Sequence, residues 1–256
     1  MENLSLTRAA AEPASATRVA LVAAGVEHSF ADLARRADRL RAALAHEGVG
    51  QGARVALIAK NSVEAILAIH ALLDLGATLV PVHPRLTPAE ADVLLADAAP
   101  AITLRDTDLP APAAARPPAP VLAPDLPLAL IYTSGTTGRP KGAVLSRRAF
   151  AAAAAASEKN LGWADDDRWL LCMPLCHVGG LSIVTRCLAA RRAVILEPRF
   201  DPDAVLAAVA RERATLLSVV PTMLQALLER DRDNVLARLR AVLLGGAGAP
   251  LSLIHI

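Results

Sequence analysis

The chain has 256 residues, enough for one large domain or two small ones, and 54% of them are hydrophobic, which supports a sizeable core. Its formal net charge is +2 and no basic run exceeds two residues, which argues against nucleic acid as the main partner. Three cysteines are too few for a disulfide framework, so we expect them to be small core residues of a protein in a reducing, cytoplasmic compartment.

The first 100 residues alternate between strand and helix patterns. Residues 1–18 are polar and alanine-rich and are predicted to be loosely ordered. Ser29 and Asp32 have the spacing of a capping box, and Asn61 with Glu64 is predicted to begin a second helix in the same way. The predicted elements are, in order, a strand at 19–26 with a turn at Gly25, a helix at 29–48, a strand at 54–59, a helix at 61–76, a strand at 78–82 and a helix beginning at Thr87-Pro88.

The alternation continues after a proline-rich connection. Residues 110–127 hold seven prolines and are predicted to form a loop that joins two layers of one domain. The charge-free stretch between Arg168 and Arg186 contains Pro174 and glycines, and is predicted to be buried core rather than a membrane span. The predicted elements are strands at 128–132 and 143–145, a helix at 148–159, a solvated turn at 165–167, strands at 169–173 and 193–196, a helix at 201–213, a strand at 216–220, a helix at 221–230 and a strand at 239–244. This order predicts an α/β fold of layered, mostly parallel sheets flanked by helices.

A glycine-rich loop at 133–142 directly follows one of these strands and contains four hydroxyl side chains and a lysine. Glycine permits backbone angles that turn successive N–H groups toward a ligand, and such groups form an anion-binding concavity. The hydroxyls add donors, and Lys141 adds a mobile charge that can follow a phosphate. Two residues separate Gly135 from Gly138, and Pro140 precedes the lysine, so the spacing is not that of a Walker A loop. The loop nevertheless suits a polyphosphate.

The same ten residues resemble the phosphate loop of the adenylate-forming superfamily, which includes acyl-CoA synthetases, peptide-synthetase adenylation domains and luciferases. The resemblance implies that the loop holds the β- and γ-phosphates of ATP, with Mg2+ offsetting their charge. It also implies that Lys141 is a catalytic residue that holds the loop or touches phosphate. The implied phosphate-binding residues are Thr133, Ser134, Gly135, Thr136, Thr137, Gly138 and Lys141. No residue is assigned as a metal ligand.

A second motif places His177 shortly after a predicted strand. Taken alone, this residue would more simply be a buried histidine in a tight turn. Cys172, Cys176 and His177 lack the spacing of a haem or zinc site, so no metal is expected there. The superfamily carries a similar motif whose histidine lines the acyl-substrate pocket. The resemblance therefore implies that His177 is a catalytic and substrate-binding residue, with Gly179 and Gly180 beside it.

A third motif, Gly245-Gly246-Ala247, follows the last predicted strand. By itself it is only a turn signal. In the superfamily, a Gly-Gly-Ala turn after a strand lies along the adenine and the acyl pocket. The resemblance implies the same cofactor-binding position for Gly245, Gly246 and Ala247. The three motifs occur in the order found in the superfamily, and the resemblance extends over residues 29–250.

Within the superfamily, the segments at 176–183 and 217–224 are most similar to those of o-succinylbenzoate–CoA ligases. This resemblance implies an ATP-dependent ligase that adenylates a carboxylate, releases pyrophosphate and forms a CoA thioester, as in menaquinone biosynthesis. Its partners would be a small carboxylic acid, ATP and CoA, with no nucleic acid and no membrane span. Medium- or long-chain fatty acyl-CoA ligases, and peptide-synthetase-type adenylation domains with a carrier protein as acceptor, remain alternatives.

The resemblance also bears on domain organisation. Residues 1–250 correspond to part of the N-terminal AMP-binding domain of the superfamily. Its later motifs do not occur in this sequence: an aromatic-Gly-x-Thr-Glu segment, a ribose-binding aspartate and a lysine on a C-terminal lid domain. Residues 251–256 resemble a translated sequencing adapter and are expected to be a non-native tail, with a natural final strand as the alternative. Two rival interpretations are a phosphotransferase or NTPase, which the loop spacing disfavours, and a catalytically inactive ATP-binding fragment.

Overall fold

The computed structural model describes residues 4–111, 120–133 and 140–248. The strands are β1 (Val19–Ala23), β2 (Val26–Ser29), β3 (Arg54–Ile58), β4 (Thr78–Val82), β5 (Ile102–Arg105), β6 (Pro127–Thr133), β7 (Lys141–Ser146), β8 (Arg168–Leu171), β9 (Ala193–Leu196), β10 (Leu216–Val219) and β11 (Ala241–Leu244). The helices are α1 (Leu6–Ala11), α2 (Phe30–His46), α3 (Val63–Leu75), α4 (Pro88–Ala98), α5 (Arg147–Leu161), α6 (Val178–Ala190), α7 (Pro202–Glu212) and α8 (Pro221–Arg230), with a 3-10 helix at Val235–Arg238. The predicted loop residues 134–138, part of the proline-rich connection and the predicted tail at 251–256 lie outside the described residues.

The strands form two sheets, each of them parallel apart from one antiparallel hairpin at an edge. The six-stranded sheet has the order β11-β10-β8-β9-β1-β2, and β1 and β2 form its hairpin. The five-stranded sheet has the order β5-β3-β4-β6-β7, and β6 and β7 form its hairpin. Parallel neighbours need crossover connections, and helices supply most of them. The predicted α/β fold of mostly parallel sheets flanked by helices is therefore confirmed.

Local sequence signals set the start of two helices as predicted. At α2, the Ser29 hydroxyl accepts a hydrogen bond from the Asp32 N–H at 3.1 Å, and the Asp32 carboxylate accepts one from the Ser29 N–H. At α4, Thr87 and Glu90 form the same reciprocal pair. A capping box satisfies backbone donors that the first helical turn leaves unpaired, which explains why helices begin at these two positions.

Helix α3 ends as predicted but begins one residue later than predicted. Gly76 ends the helix with a φ of +72°, and a Cβ there would lie 2.3 Å from Leu122 Cδ2, so glycine is required. The predicted cap at Asn61 is wrong, because Ser62 accepts the hydrogen bond from the Ala65 N–H at 3.1 Å. The Asn61 side chain is used elsewhere, in contacts with the other sheet.

The prediction that residues 1–18 are loosely ordered is wrong, because α1 forms within them. The Thr7 N–H and hydroxyl both donate to the Asp74 carboxylate, at 3.0 and 2.7 Å. Leu6 and Ala9 are buried. A helix of this length is unstable alone in water, so these contacts with α3 stabilise it, and sequence periodicity could not reveal them.

Strands β2 and β5 and helix α6 were not predicted; the single strand predicted at 19–26 is instead the hairpin of β1 and β2. Helix α6 has Gly179 and Gly180 in its first turn, and no side chain caps its start at His177. The usual start signals of a helix are therefore absent from the sequence. Strand β5 has four residues, too few for a clear alternating pattern.

The prediction of a solvated turn at 165–167 is wrong at Asp167, because the side chain of this residue is fully buried. Its carboxylate accepts hydrogen bonds from Arg240 Nη2 and the Thr215 hydroxyl, both at 2.6 Å, and from the Ala164 N–H at 2.8 Å. Burial would raise the pKa of this carboxyl, but the hydrogen bonds from Arg240 and Thr215 outweigh burial and lower the pKa below its usual range. Asp167 is thus a charged anchor where β8, β10 and β11 begin.

The charge-free stretch between Arg168 and Arg186 is core, as predicted. It forms β8 and much of α6, and Trp169 within it is buried with its Nε1 donating to the Ser218 hydroxyl at 3.0 Å. Across residues 4–111, 120–133 and 140–248, no helix is both long and apolar enough to cross a membrane.

The cysteines are buried and form no disulfide, which confirms their prediction as core residues. Burial raises the pKa of Cys172 to about 12 and that of Cys176 to about 11. Burial also raises the pKa of Cys187. A thiol with a raised pKa is a poor nucleophile near neutral pH, so these residues act as small apolar side chains.

Candidate functional site

The carboxyl ends of strands from both sheets meet at one cleft of about 980 Å3. Its walls come from the residues that follow β3 and β4 in one sheet and β8 and β9 in the other. In open α/β sheets, ligands bind beyond the carboxyl ends of the parallel strands. The cleft is large enough for a substrate of a few dozen atoms. We therefore take this edge as the candidate functional site.

Asn61 connects the two sheets at this cleft. Its Nδ2 donates hydrogen bonds to the carbonyl oxygens of Met173 at 3.0 Å and Glu197 at 3.1 Å. Its Oδ1 accepts a hydrogen bond from the Leu175 N–H at 3.1 Å. The residue after β3 is thereby joined to the segments that follow β8 and β9, which explains why its side chain is not available to cap α3.

The cleft has a positive lining. Lys60, Arg85 and Arg199 contribute three cationic side chains, and Asp201 is its one acidic residue among the described residues. Asp201 also caps α7, where its Oδ1 accepts from the Ala204 N–H at 3.0 Å. The excess of positive charge favours an anionic ligand in this cleft.

Two histidines from different sheets lie close together beside the cleft. The ring centroids of His83, after β4, and His177, before α6, are 6.3 Å apart. Burial lowers the pKa of His83, and the charges of Arg85 and His177 lower it further, so the ring favours its neutral form. The described residues contain no group of three or more His, Cys, Asp or Glu side chains that could hold a metal ion.

His177 is exposed and makes no capping hydrogen bond, so its ring is available to a ligand. This placement contradicts the simpler prediction of a buried histidine in a tight turn. The two glycines beside it differ in their surroundings. A Cβ at Gly180 would lie 2.4 Å from the Pro174 carbonyl oxygen, whereas a Cβ at Gly179 would lie 2.8 Å from the flexible end of Met173. Close backbone packing therefore requires glycine at 180, in addition to any contact with a substrate.

The glycine-rich loop connects the two strands of the β6–β7 hairpin. Thr133 ends β6, Lys141 begins β7, and the two residues face each other in the ladder. The Thr133 hydroxyl donates to the Lys141 carbonyl oxygen at 3.5 Å, and both side chains are exposed. The return strand begins at Lys141 rather than at 143 as predicted. The lysine is thus fixed by the sheet, while residues 134–138 of the loop lie outside the described residues.

Both strands of this hairpin make packing or hydrogen-bond contacts next to the loop. The Tyr132 hydroxyl donates a hydrogen bond to the Asp97 carboxylate on α4, which joins the end of β6 to a neighbouring helix. Gly142 faces Tyr132 across the ladder, and a Cβ there would lie 2.7 Å from Leu130 Cδ1. These contacts fix the backbone on either side of the loop.

Gly245, Gly246 and Ala247 follow β11 at the carboxyl edge of the six-stranded sheet. The Gly245 N–H donates to the Val219 carbonyl oxygen at 3.3 Å, which holds the turn against the end of β10. Gly246 has a φ of +81°, a backbone angle that favours glycine. All three residues are exposed.

The three predicted segments therefore lie at carboxyl edges of the sheets. The first follows β6 in the five-stranded sheet, and the other two follow β8 and β11 in the six-stranded sheet. Sequence reasoning missed Lys60, Asn61, His83, Arg85 and Arg199. Asn61 was predicted to cap a helix, and the other four are ordinary residues in unremarkable local patterns. Their position in the sequence could have identified them, because all five lie within a few residues of the carboxyl end of a parallel strand.

Comparisons with known proteins identify the family. A family model described as AMP-binding enzyme matches residues 6–255. The chain is 37% identical over 227 residues to a 2-succinylbenzoate–CoA ligase from Bacillus cereus, covering 83% of this chain and 47% of the relative. The chain therefore spans about half the length of the curated relatives it matches.

Two solved structures of o-succinylbenzoate–CoA synthetase from Bacillus subtilis have the same fold. The complex with ATP and magnesium ion matches with a TM-score of 0.90 and 31% identity, over 98% of this chain and 56% of that one. The complex with the acyl-adenylate intermediate matches with a TM-score of 0.89 and 31% identity, over 98% of this chain and 55% of that one.

Proposed function

The chain belongs to the AMP-binding enzyme family, and we propose that it forms part of the N-terminal AMP-binding domain of an ATP-dependent acid–CoA ligase. The enzyme would transfer AMP to a carboxylate, release pyrophosphate, and pass the acyl group to the thiol of CoA. The observation that carries this proposal is the combined placement of Lys141 and His177 at the carboxyl edges of two sheets whose cleft is lined with cations.

The chemistry explains why such a site needs positive charge. A carboxylate is a poor acyl donor because its leaving group would be oxide, whereas an acyl-adenylate releases AMP. Negative charge gathers on the α-phosphate and on pyrophosphate as AMP is transferred, so the main task of the protein is electrostatic. Thr133 and residues 134–138 would cradle the β- and γ-phosphates, and Mg2+ would bind together with ATP as part of the substrate. Lys141, fixed at the start of β7, would direct its ammonium group to phosphate.

His177 is proposed to contact the acid. It lies at the start of α6, exposed and close to His83, and its imidazole makes no capping bond. Gly245, Gly246 and Ala247 would lie along the adenine, where a turn of small residues allows a flat ring to approach the backbone. Gly179 and Gly180 would similarly leave room for the acid next to the imidazole.

The acid is proposed to be o-succinylbenzoate and the pathway menaquinone biosynthesis. The support is the 37% identity to relatives that bear this activity in their names and the 31% identity to a structure that contains its acyl-adenylate. Two carboxylates occur in o-succinylbenzoate, and one of them stays charged after adenylation. A cleft with an excess of cations suits such a substrate better than the apolar chain of a fatty acid.

CoA is proposed as the acyl acceptor. It carries phosphate groups at one end, and Lys60, Arg85 and Arg199 line the cleft at the carboxyl ends of β3, β4 and β9. Cationic side chains with little competing acid would attract these phosphates from solution. We place the enzyme in the cytoplasm, because its cysteines are free thiols and such thiols persist in reducing compartments.

Isotope exchange between pyrophosphate and ATP tests the proposal in the full-length enzyme. We expect exchange that depends on o-succinylbenzoate, and a CoA thioester detectable by mass spectrometry after CoA is added. Hexadecanoate serves as the matched control acid and should support little exchange. Exchange with hexadecanoate but not with o-succinylbenzoate would reject the substrate assignment. Release of phosphate in place of pyrophosphate would reject adenylation altogether.

A further inference from the structure

We propose that Asn61 is a positioning residue that holds the segment 173–177 in the geometry that places His177 at the acid-binding site. The inference rests on the proposed role of His177 in binding the acid. Asn61 follows β3 in the five-stranded sheet, whereas the segment follows β8 in the six-stranded sheet. The side chain therefore acts across the junction between the two sheets, at the wall of the cleft.

The Asn61 carboxamide satisfies three backbone groups at once and is only 6% exposed. Its two N–H groups match the carbonyl oxygens of Met173 and Glu197, and its oxygen matches the Leu175 N–H, all within 3.1 Å. No other side chain of this size presents two donors and an acceptor in one plane. Buried backbone groups left without partners are costly, so these bonds fix the segment relative to β3.

The hydrogen bonds of Asn61 to Met173 and Leu175 hold the turn that leads into α6. Met173 and Leu175 lie on either side of Pro174, whose carbonyl oxygen accepts from the His177 N–H at 3.1 Å. The same carbonyl oxygen passes so close to Gly180 that a Cβ there would be 2.4 Å away. The turn and the first turn of α6 are thus packed as one unit. A displacement of the turn would carry the imidazole of His177 with it.

The neighbouring residue shows that Asn61 is not required for the helix that follows it. Ser62 caps α3 by accepting from the Ala65 N–H at 3.1 Å, and it donates to the Asp106 carboxylate at 2.8 Å. Asn61 and Ser62 therefore have separate tasks, one at the cleft and one in the helix. The pair supplies a matched control, because Ser62→Ala weakens the helix start without touching the segment 173–177.

Steady-state kinetics of the full-length enzyme test the proposal. Asn61→Asp keeps an acceptor for the Leu175 N–H but loses both donors and sets a carboxylate against two carbonyl oxygens. We expect it to raise the KM for the acid about tenfold while the KM for ATP stays within about twofold, because misplacement affects only the acid pocket. Ser62→Ala should leave both KM values at those of the wild type. A fall in kcat with both KM values unchanged would overturn the proposal.

A double-mutant cycle with His177→Ala separates positioning from general damage. If Asn61 acts through His177, the effect of Asn61→Asp on the KM for the acid should disappear when the imidazole is absent. Equal effects in the presence and absence of the imidazole would show that the two residues act independently, and would overturn the proposal.

Amide hydrogen–deuterium exchange tests the positioning contact without knowledge of the substrate. It also does not require that the Asn61→Asp variant folds. Asn61→Ser is small enough to let water reach the three backbone groups, so it should fold. We expect faster amide exchange at Leu175 and His177 in Asn61→Ser than in the wild type, and no such change in Ser62→Ala. Unchanged exchange in Asn61→Ser would reject the positioning contact. If the wild-type enzyme shows no acid-dependent exchange between pyrophosphate and ATP, the proposed function is rejected. The amide-exchange result would still decide whether Asn61 positions the segment 173–177.

Discussion

Thr133 lies directly opposite Lys141 in the antiparallel ladder of β6 and β7. The lysine therefore belongs to the sheet and not to the loop that precedes it in the sequence. The backbone position of Lys141 is therefore fixed by the pairing of β7 with β6. This arrangement places a cation at the base of the loop.

The first prediction concerns this cation. In the full-length enzyme, Lys141→Ala should lower kcat/KM for ATP–pyrophosphate exchange by an amount equivalent to about 2–4 kcal/mol, because a charge that stabilises developing phosphate charge is lost. Lys159→Ala is the matched control, since Lys159 is exposed in the last turn of α5. Wild-type exchange rates in Lys141→Ala would contradict the assigned role.

The second prediction concerns the exposed imidazole. His177→Ala should raise the KM for the acid roughly tenfold, as expected for the loss of one polar contact to a charged substrate, and should leave the KM for ATP unchanged. His46→Ala, in the exposed end of α2, provides the control for removing a histidine. An unaltered KM for the acid in His177→Ala would remove this residue from the substrate site.

The third prediction concerns the positive lining of the cleft. Arg199→Ala should raise the KM for CoA about fivefold at low salt, and the difference should shrink at high salt because exposed charges are screened. Arg232→Ala removes another exposed arginine, which does not line the cleft, and should have no effect. A KM for CoA that is insensitive to Arg199→Ala at any salt concentration would argue against phosphate recognition here.

The fourth prediction concerns a buried histidine on α3. Burial lowers the pKa of His70 from 6.5 to about 4, and the negative charge of Asp74 opposes this shift only in part. The unfolded chain therefore binds a proton at a pH where the folded chain does not. Stability is fully present above pH 6.5 and falls as the pH is lowered toward about 4, by about 3 kcal/mol for a shift of this size.

Thermal unfolding at a series of pH values measures this loss. Tm should fall between pH 6.5 and pH 4 in the wild type, and His70→Leu should fall less steeply, because leucine fills similar space without titrating. Identical pH dependences in the two proteins would show that His70 does not contribute.

The fifth prediction uses the two adjacent glycines of α6 as a matched pair. Gly180→Ala should lower Tm much more than Gly179→Ala, although both replace glycine in the same helical turn. The Cβ at 180 meets the Pro174 carbonyl oxygen of the backbone, whereas the Cβ at 179 meets the mobile end of Met173. Equal Tm values for the two variants would mean that the backbone can move away from residue 180 at little cost.

The fold was largely predictable because its determinants are local. Capping pairs such as Ser29 with Asp32, the stop at Gly76 and apolar runs of strand length all lie within a few residues of one another in sequence. Alternation of strands and helices then predicts parallel sheets through the geometry of crossover connections. Two helices were missed for different reasons. Helix α6 has no side-chain cap at its start, and α1, although Ser5 caps it, has only six residues and depends on contacts with α3.

The candidate site was only partly predictable, because the position of Asn61 and the cationic lining of the cleft depend on contacts between distant segments of the chain. Lys141, His177 and Gly246 belong to short motifs that follow strands, so sequence alone could single them out. Asn61 was predicted to be a helix cap rather than a residue of the site. Its hydrogen-bond partners at 173 and 197 lie more than one hundred residues away, so no local pattern could reveal them. The excess of cations in the cleft likewise appears only when separate strand ends meet.

The burial of Asp167 has a practical consequence for dissecting the domain. Two of its hydrogen-bond donors, Thr215 and Arg240, lie in sequentially distant segments, and Arg240 immediately precedes β11. Any shortened version that stops before residue 240 would enclose a carboxylate without its counter-ion, a fault that typically costs about 3–5 kcal/mol. Residue 240 therefore sets the minimum C-terminal boundary for expression trials, and shorter designs should carry Asp167→Asn to remove the orphaned charge.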